Sequence, residues 1–293
     1  MQRHTPTISL LITFPLVCGS ALAAESRVTG NMQVQGTYRT HDGGDNRWTL
    51  QTPHSWLGVE AVEPRGNSRY RGVWQFSLDP LDEDAAAGTR QMFLEWQQSL
   101  YQIRAGRLAT LEQRYLVDRL AVMNGSGDRG IAGAAHAPDF LDRTLQLDAT
   151  NGELAYISAE WQIGDEDSDK TIEQWAVSTG LDTPEGQVSV TYRGDDQEAG
   201  LWGASVLWVS GVWSLGGGYL YRDETLAWDL LTQYTQGSVV SKLMYGNDAV
   251  EDADYWAFGI DQRFSQSIRN YSELRWLPES DDWAWQTGFR LQF

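Results

Sequence analysis

The chain has 293 residues, 41% of them hydrophobic, with 40 acidic against 22 basic side chains and a formal net charge of −18. So acidic a protein is excluded from nucleic-acid binding, which needs a basic face. A single cysteine excludes a disulfide framework, and with four scattered histidines it leaves no metal-ligand cluster to build.

Residues 1–23 read as a secretory signal. Arg3 supplies a positive start, Ile8 to Leu22 is mostly apolar, and Ala21-Leu22-Ala23 is a small-x-small cleavage site. The apolar stretch is shorter than the roughly 20 residues a membrane-spanning helix needs. Val17 in front of Cys18 does not suit a lipoprotein signal, so Cys18 is expected to leave with the leader. The mature domain is then 24–293, without cysteine.

After the leader the chain alternates. In Arg27–Thr40, Val28, Met32, Val34 and Tyr38 share one face and Gln33, Gln35, Thr37 and Arg39 the other. In Arg69–Leu78, Tyr70, Trp74, Phe76 and Leu78 oppose Arg69, Arg71, Gln75 and Ser77. A period of two is that of strands, not helices. Sixteen such runs follow one another, centred from Val34, Val59 and Trp74 through Leu94, Ile103, Leu147, Ile157, Val177, Val190, Val206, Leu215, Leu230, Leu243 and Phe258 to Leu274 and Phe289.

The connections sort by parity. Those after even-numbered runs are short, such as Gln98–Ser99, Asn151–Gly152 and Ser210–Gly211; Asn-Gly is itself a strong hairpin turn. Those after odd-numbered runs are mostly longer. Six of them, from Asp79–Gly88 to Pro278–Asp282, hold 20 of the 40 acidic residues. A soluble β-sandwich gives no reason for that sorting, whereas a transmembrane β-barrel with short turns at one rim and external loops at the other does. Most of the 14 tryptophans fall within the runs on the outward face, where aromatic girdles meet lipid headgroups. The expected fold is all-β: a sixteen-stranded antiparallel transmembrane β-barrel.

Ser55-Trp56-Leu57-Gly58-Val59-Glu60, Gln102-Ile103-Arg104-Ala105-Gly106-Arg107 and the terminal Phe293 resemble the second strand, fifth strand and C-terminus of the general bacterial outer-membrane porins. The resemblance covers nearly the whole mature chain as architecture. It implies a water-filled diffusion channel for small hydrophilic solutes, with no cofactor. It also implies a homotrimer in outer-membrane lipid and lipopolysaccharide, with Phe293 read by the outer-membrane assembly machinery. Met32, Val34, Leu57 and Val59 suit a subunit interface, although lipid-facing residues have the same composition.

The longest connection, Leu108 to Leu141, corresponds to the porin loop that folds into the lumen; by itself it reads equally as a solvated surface loop. The resemblance implies a constriction with a basic wall, Arg39, Arg69, Arg71 and Arg104, opposite loop acids Glu112, Asp118 and Asp128. The plain reading of each arginine is a wall residue that only solvates the lumen. Acidic loops predict a weak preference for cations at the mouth. Three further readings stand beside this one: a channel specific for phosphate or a sugar acid, a closed structural barrel, and a barrel enzyme. The last is disfavoured because His41, His54 and His136 lie in no nucleophile motif.

Overall fold

The computed structural model describes residues 25–40, 46–78, 88–124, 130–131, 139–151, 154–165, 170–195, 200–222, 225–248 and 253–293. The expected leader, 1–23, and Asp128 lie outside them. The strands are β1 (Glu25–Thr40), β2 (Arg47–Gln51), β3 (Trp56–Arg65), β4 (Ser68–Ser77), β5 (Thr89–Gln98), β6 (Tyr101–Ala109), β7 (Phe140–Thr150), β8 (Ala155–Ile163) and β9 (Ile172–Thr183). They continue with β10 (Gly186–Asp195), β11 (Leu201–Ser210), β12 (Trp213–Arg222), β13 (Thr225–Gln236), β14 (Val239–Asp248), β15 (Ala253–Arg263), β16 (Ile268–Leu277) and β17 (Asp282–Gln292).

All pair antiparallel in one sheet, and β1 closes it against β17 over Asn31–Thr40. The short β2 and β3 share one place in the ring. β2 pairs with β1 at Gln35–Arg39, and β3 pairs with β1 at Glu25–Asn31. The barrel therefore has sixteen positions, and each expected run is centred in a strand. β2 itself is not among the expected runs. The ladder is patched at the break between β2 and β3: the Ser55 hydroxyl accepts from the Gln33 N–H (3.0 Å) and donates to the Gln33 carbonyl (3.2 Å).

A closed sheet leaves no unpaired edge, which is the condition for β-structure in hydrocarbon. Strands of about ten residues, tilted, match a hydrocarbon core. Outward residues confirm the alternation: Val34, Leu57, Trp74, Val206, Leu230 and Phe289 are exposed, and Leu94 is 73% exposed. A belt of that extent is not the surface of a soluble monomer. Rings chain together around it, as in Trp175–Tyr192–Trp202 (5.3 and 4.4 Å between centroids) and Trp228–Tyr245–Trp256 (4.9 and 4.4 Å). Trp213–Tyr234 (4.7 Å) lies near the opposite rim.

One rim carries tight turns. Arg65 pairs with Ser68, Thr183 with Gly186, Ser210 with Trp213 and Gln236 with Val239. Gly66, Gly211 and Gly237 take the positive φ that these two-residue links require (62°, 59° and 59°). The other rim carries the longer connections, with one exception. Arg222 pairs directly with Thr225, so that link is as short as those opposite.

Candidate functional site

The segment after β6 is turned into the barrel by a local irregularity. The β6–β7 register shifts between Gly106 and Leu108. Gly106 has φ 140°, and a Cβ there would lie 2.1 Å from the Met92 carbonyl oxygen, so only glycine fits. Leu108 is then buried with Val73 and Phe93, and a short helical stretch follows at Gln113–Leu120.

That stretch lies against the inward faces of the strands across from β6. Leu116, Leu120, Met123 and Ile131 form one buried apolar cluster with Leu201, Leu220, Ala227, Leu231, Met244 and Ala257 of β11–β15. Glycines make room for them. A Cβ on Gly203 would sit 2.2 Å from Leu116 Cδ1, and one on Gly218 would sit 2.6 Å from Leu120 Cδ1. Polar ties fix the register. The Tyr115 carbonyl accepts from the Ser189 (2.6 Å) and Ser205 (2.8 Å) hydroxyls, and the Asn124 N–H donates to Glu273 (2.7 Å). The Ile131 N–H donates to Asp229 (3.0 Å).

The expected site residues divide into three groups. Arg39 and Arg69 are exposed, Arg39 at the long-loop end of β1 and Arg69 at the short-turn end of β4, and the two are not brought together. Arg71 and Arg104 do converge, but on carboxylates of the wall itself. Arg71 bonds Glu60 (2.9 Å) and reaches Glu95 (3.5 Å); Arg104 bonds Asp148 and approaches Glu95 (4.0 Å). Arg114 from the loop also reaches Asp148 (3.4 Å). Glu112 is fully buried and accepts from Nε and Nη2 of Arg193, whose Nη2 also bonds Glu160 (2.8 Å). Its place is that of an anchor for the loop. The wall acids Glu60, Glu95, Asp148 and Glu160 were absent from the expected site, although each sits at an inward position of the alternation.

Of the two named loop acids that are described, Glu112 and Asp118, only Asp118 is exposed. It lines a cavity of about 510 Å³ together with Asp139 on the same loop and Arg90, Arg269 and Arg290 on the wall. Gln113 Nε2 donates to its carboxylate (2.6 Å). Enclosure by the surrounding wall lifts the Asp118 carboxyl above the usual carboxylate range, with Gln113 and Arg90 opposing the rise.

Arg90 reaches the cavity through a second irregularity. β4 and β5 pair Gln75 with Gln91 but Phe76 with Thr89, so Arg90 is the extra residue of a bulge. Bulges re-aim a side chain, and strict alternation would have sent this one outward. Its guanidinium lies over the Trp56 and Phe140 rings, 5.3 Å from each centroid, which fixes its plane. Arg290 Nε donates to Asn31 Oδ1 (2.6 Å). The geometry sets acids on the loop and arginines on the wall around one cavity.

No family model matches the sequence, and no curated protein does. Solved structures do match the fold. An anion-selective porin from Comamonas acidovorans superimposes with a TM-score of 0.75 at 14% identity, covering 92% of this chain and 100% of that one. A loop-deletion mutant of OmpT, an outer membrane protein of Vibrio cholerae, gives 0.68 at 14% identity over 92% and 99%. Mutants of the Rh. blastica porin give 0.69 at 10% identity over 92% and 100%. The chain has the fold of the bacterial outer-membrane porins: an all-β, closed, sixteen-stranded antiparallel barrel.

Proposed function

We propose that this chain is an outer-membrane porin, a water-filled channel for passive diffusion of small hydrophilic solutes and ions, and not an enzyme. One observation carries the reading. Inside a barrel girdled by apolar and aromatic side chains, the cavity between loop and wall is bounded by Asp118 and Asp139 on one side and Arg90, Arg269 and Arg290 on the other. Opposed charges across a narrow passage orient dipolar solutes and filter them by size and charge.

The constriction is then formed by the segment within 108–141, with Asp118 and Arg90 as its facing charges. Glu112, Arg71 and Arg104 hold the frame. The Comamonas porin's anion selectivity is compatible with the arginine side of this passage. The rest of the reading follows the resemblance: removal of 1–23 on export, assembly signalled by Phe293, a trimer in lipopolysaccharide-bearing membrane, and the long-loop rim outside.

Conductance of the purified mature chain in planar bilayers tests the function. Ohmic channels, opening in three equal steps if the trimer forms, are expected. A folded barrel that never conducts would make it a closed structural barrel. Saturation by one solute would favour a specific channel.

A further inference from the structure

Three guanidinium groups stand side by side on the inner wall beside the short-turn rim. Arg263 of β15 pairs directly with Arg269 of β16, and Arg269 pairs directly with Arg290 of β17. All three are at inward positions, in phase with the buried Asp261, Tyr271 and Gly288 two residues away on their strands. Like charges directly opposite one another destabilise a sheet.

Three other arginines on the inner wall are closely compensated by carboxylates. Arg71 has Glu60, Arg104 has Asp148, and Arg193 has Glu112 and Glu160. The row is compensated less fully. Among the described residues, Arg290 has Asn31 as its hydrogen-bond acceptor, a neutral one. Arg269 reaches Asp261 only at 3.5 Å, and that carboxylate already holds the buried Lys242 at 2.7 Å. Arg263 is exposed to the lumen mouth.

Space lies in front of the row. A rim cavity of about 620 Å³ is lined by Arg263, Arg269 and the hydroxyls of Ser238, Ser265 and Ser267. Arg269 also lines the inner cavity, where Arg290 and Arg90 follow. The basic groups thus run from the short-turn mouth to the constriction without interruption, beside donors that suit oxygen-rich solutes.

We propose that the Arg263–Arg269–Arg290 row is a binding site for small oxyanions, the carboxylate or phosphate groups of solutes in transit, passed from the rim to Arg90. The proposal rests on the channel reading and deepens it: the lumen selects for anions although the outer loops are acidic. Planar forks such as these bind carboxylate and phosphate in two-point fashion, which chloride cannot reproduce.

The test is single-channel current in potassium chloride, with citrate and then inorganic phosphate added to either side. Citrate is expected to reduce the current saturably, and at lower concentration from the short-turn side. Arg269→Gln with Arg290→Gln should raise the half-blocking concentration at least tenfold and move the salt-gradient reversal potential toward cations. Arg65→Gln, on the outer face of the same rim, should change neither. If the double variant does not fold, either single variant carries the same test. Phosphate block without citrate block would assign the row to phosphate. Ohmic current unaffected by both anions, or block that survives the substitutions, would overturn the proposal while leaving the channel standing. Absence of any current would instead overturn the channel reading itself.

Discussion

Two arcs of the inner wall are built on opposite rules. On β11–β15 many inward positions are small or apolar, among them Gly203, Gly218, Leu220, Ala227, Leu231 and Ala257, and the loop packs against them. On β16, β17 and β5, Arg269, Arg290, Arg90 and Gln91 instead line an open cavity. Both arcs belong to one continuous ladder of similar strands. What differs is only what the side chains ask for, a packed partner or water.

If that division is right, damage to the two arcs should have different signatures. The largest effect is expected at the tie between them and the loop. Arg193→Met leaves Glu112 and Glu160 facing one another without a counter-charge, which costs about 3–5 kcal/mol for a buried pair. Denaturant midpoint should fall, and open-channel current should become larger and noisier as the loop detaches.

Next is Leu116→Ala in the packed arc, expected to cost about 2–5 kcal/mol. Selectivity should change little unless the loop moves. On the open arc the order reverses. Arg90→Gln removes a cation held over Trp56 and Phe140, so reversal potential should shift toward cations while the unfolding free energy stays within about 0.5 kcal/mol of the parent. Equal losses of stability on both arcs would break the comparison.

The smallest expected effect is in pH. The Asp118 carboxyl is raised by enclosure, so on acidification it takes up a proton before ordinary carboxylates do. Below that raised pKa the loop loses one negative charge, and reversal potential should drift toward anions as pH falls. Asp118→Asn should show the drifted value at neutral pH and lose that step of the titration.

Much of this was legible in the sequence and the remainder was hidden for definite reasons. Period-two alternation exposes the outward face of every strand but β2, because lipid favours apolar residues there. Parity of connections separated a short-turn rim from a long-loop rim. The inner face carries a weaker pattern, since water, a buried ion pair and a packed loop are all satisfied behind the same apolar exterior. Counting arginines on inward positions found Arg71 and Arg104 but overlooked Glu60, Glu95 and Asp148, which stand on the same faces and neutralise them. Arg90 could not be found by alternation at all, because a bulge turns it round. Glu112 was rightly placed on the loop, yet only the fold shows that it is consumed by Arg193. A usable signal was present in the inward glycines and alanines of β11–β15, which no water-facing wall needs.

The seam between β1 and β17 has a consequence for the width of the bore. Phe293 exchanges backbone hydrogen bonds with Gly30 (2.8 and 3.1 Å), and its ring occupies the place a Cβ on Gly30 would take. A slip of one residue at this seam would turn every side chain of the strand to the wrong face. A slip of two would keep the faces and alter the stagger of the closed sheet, and stagger together with strand number sets a barrel's diameter. At either alternative the ring would meet Val28 or Met32 instead of a glycine. A contact on the outer surface, far from any solute, thus works as a key that admits a single gauge of pipe.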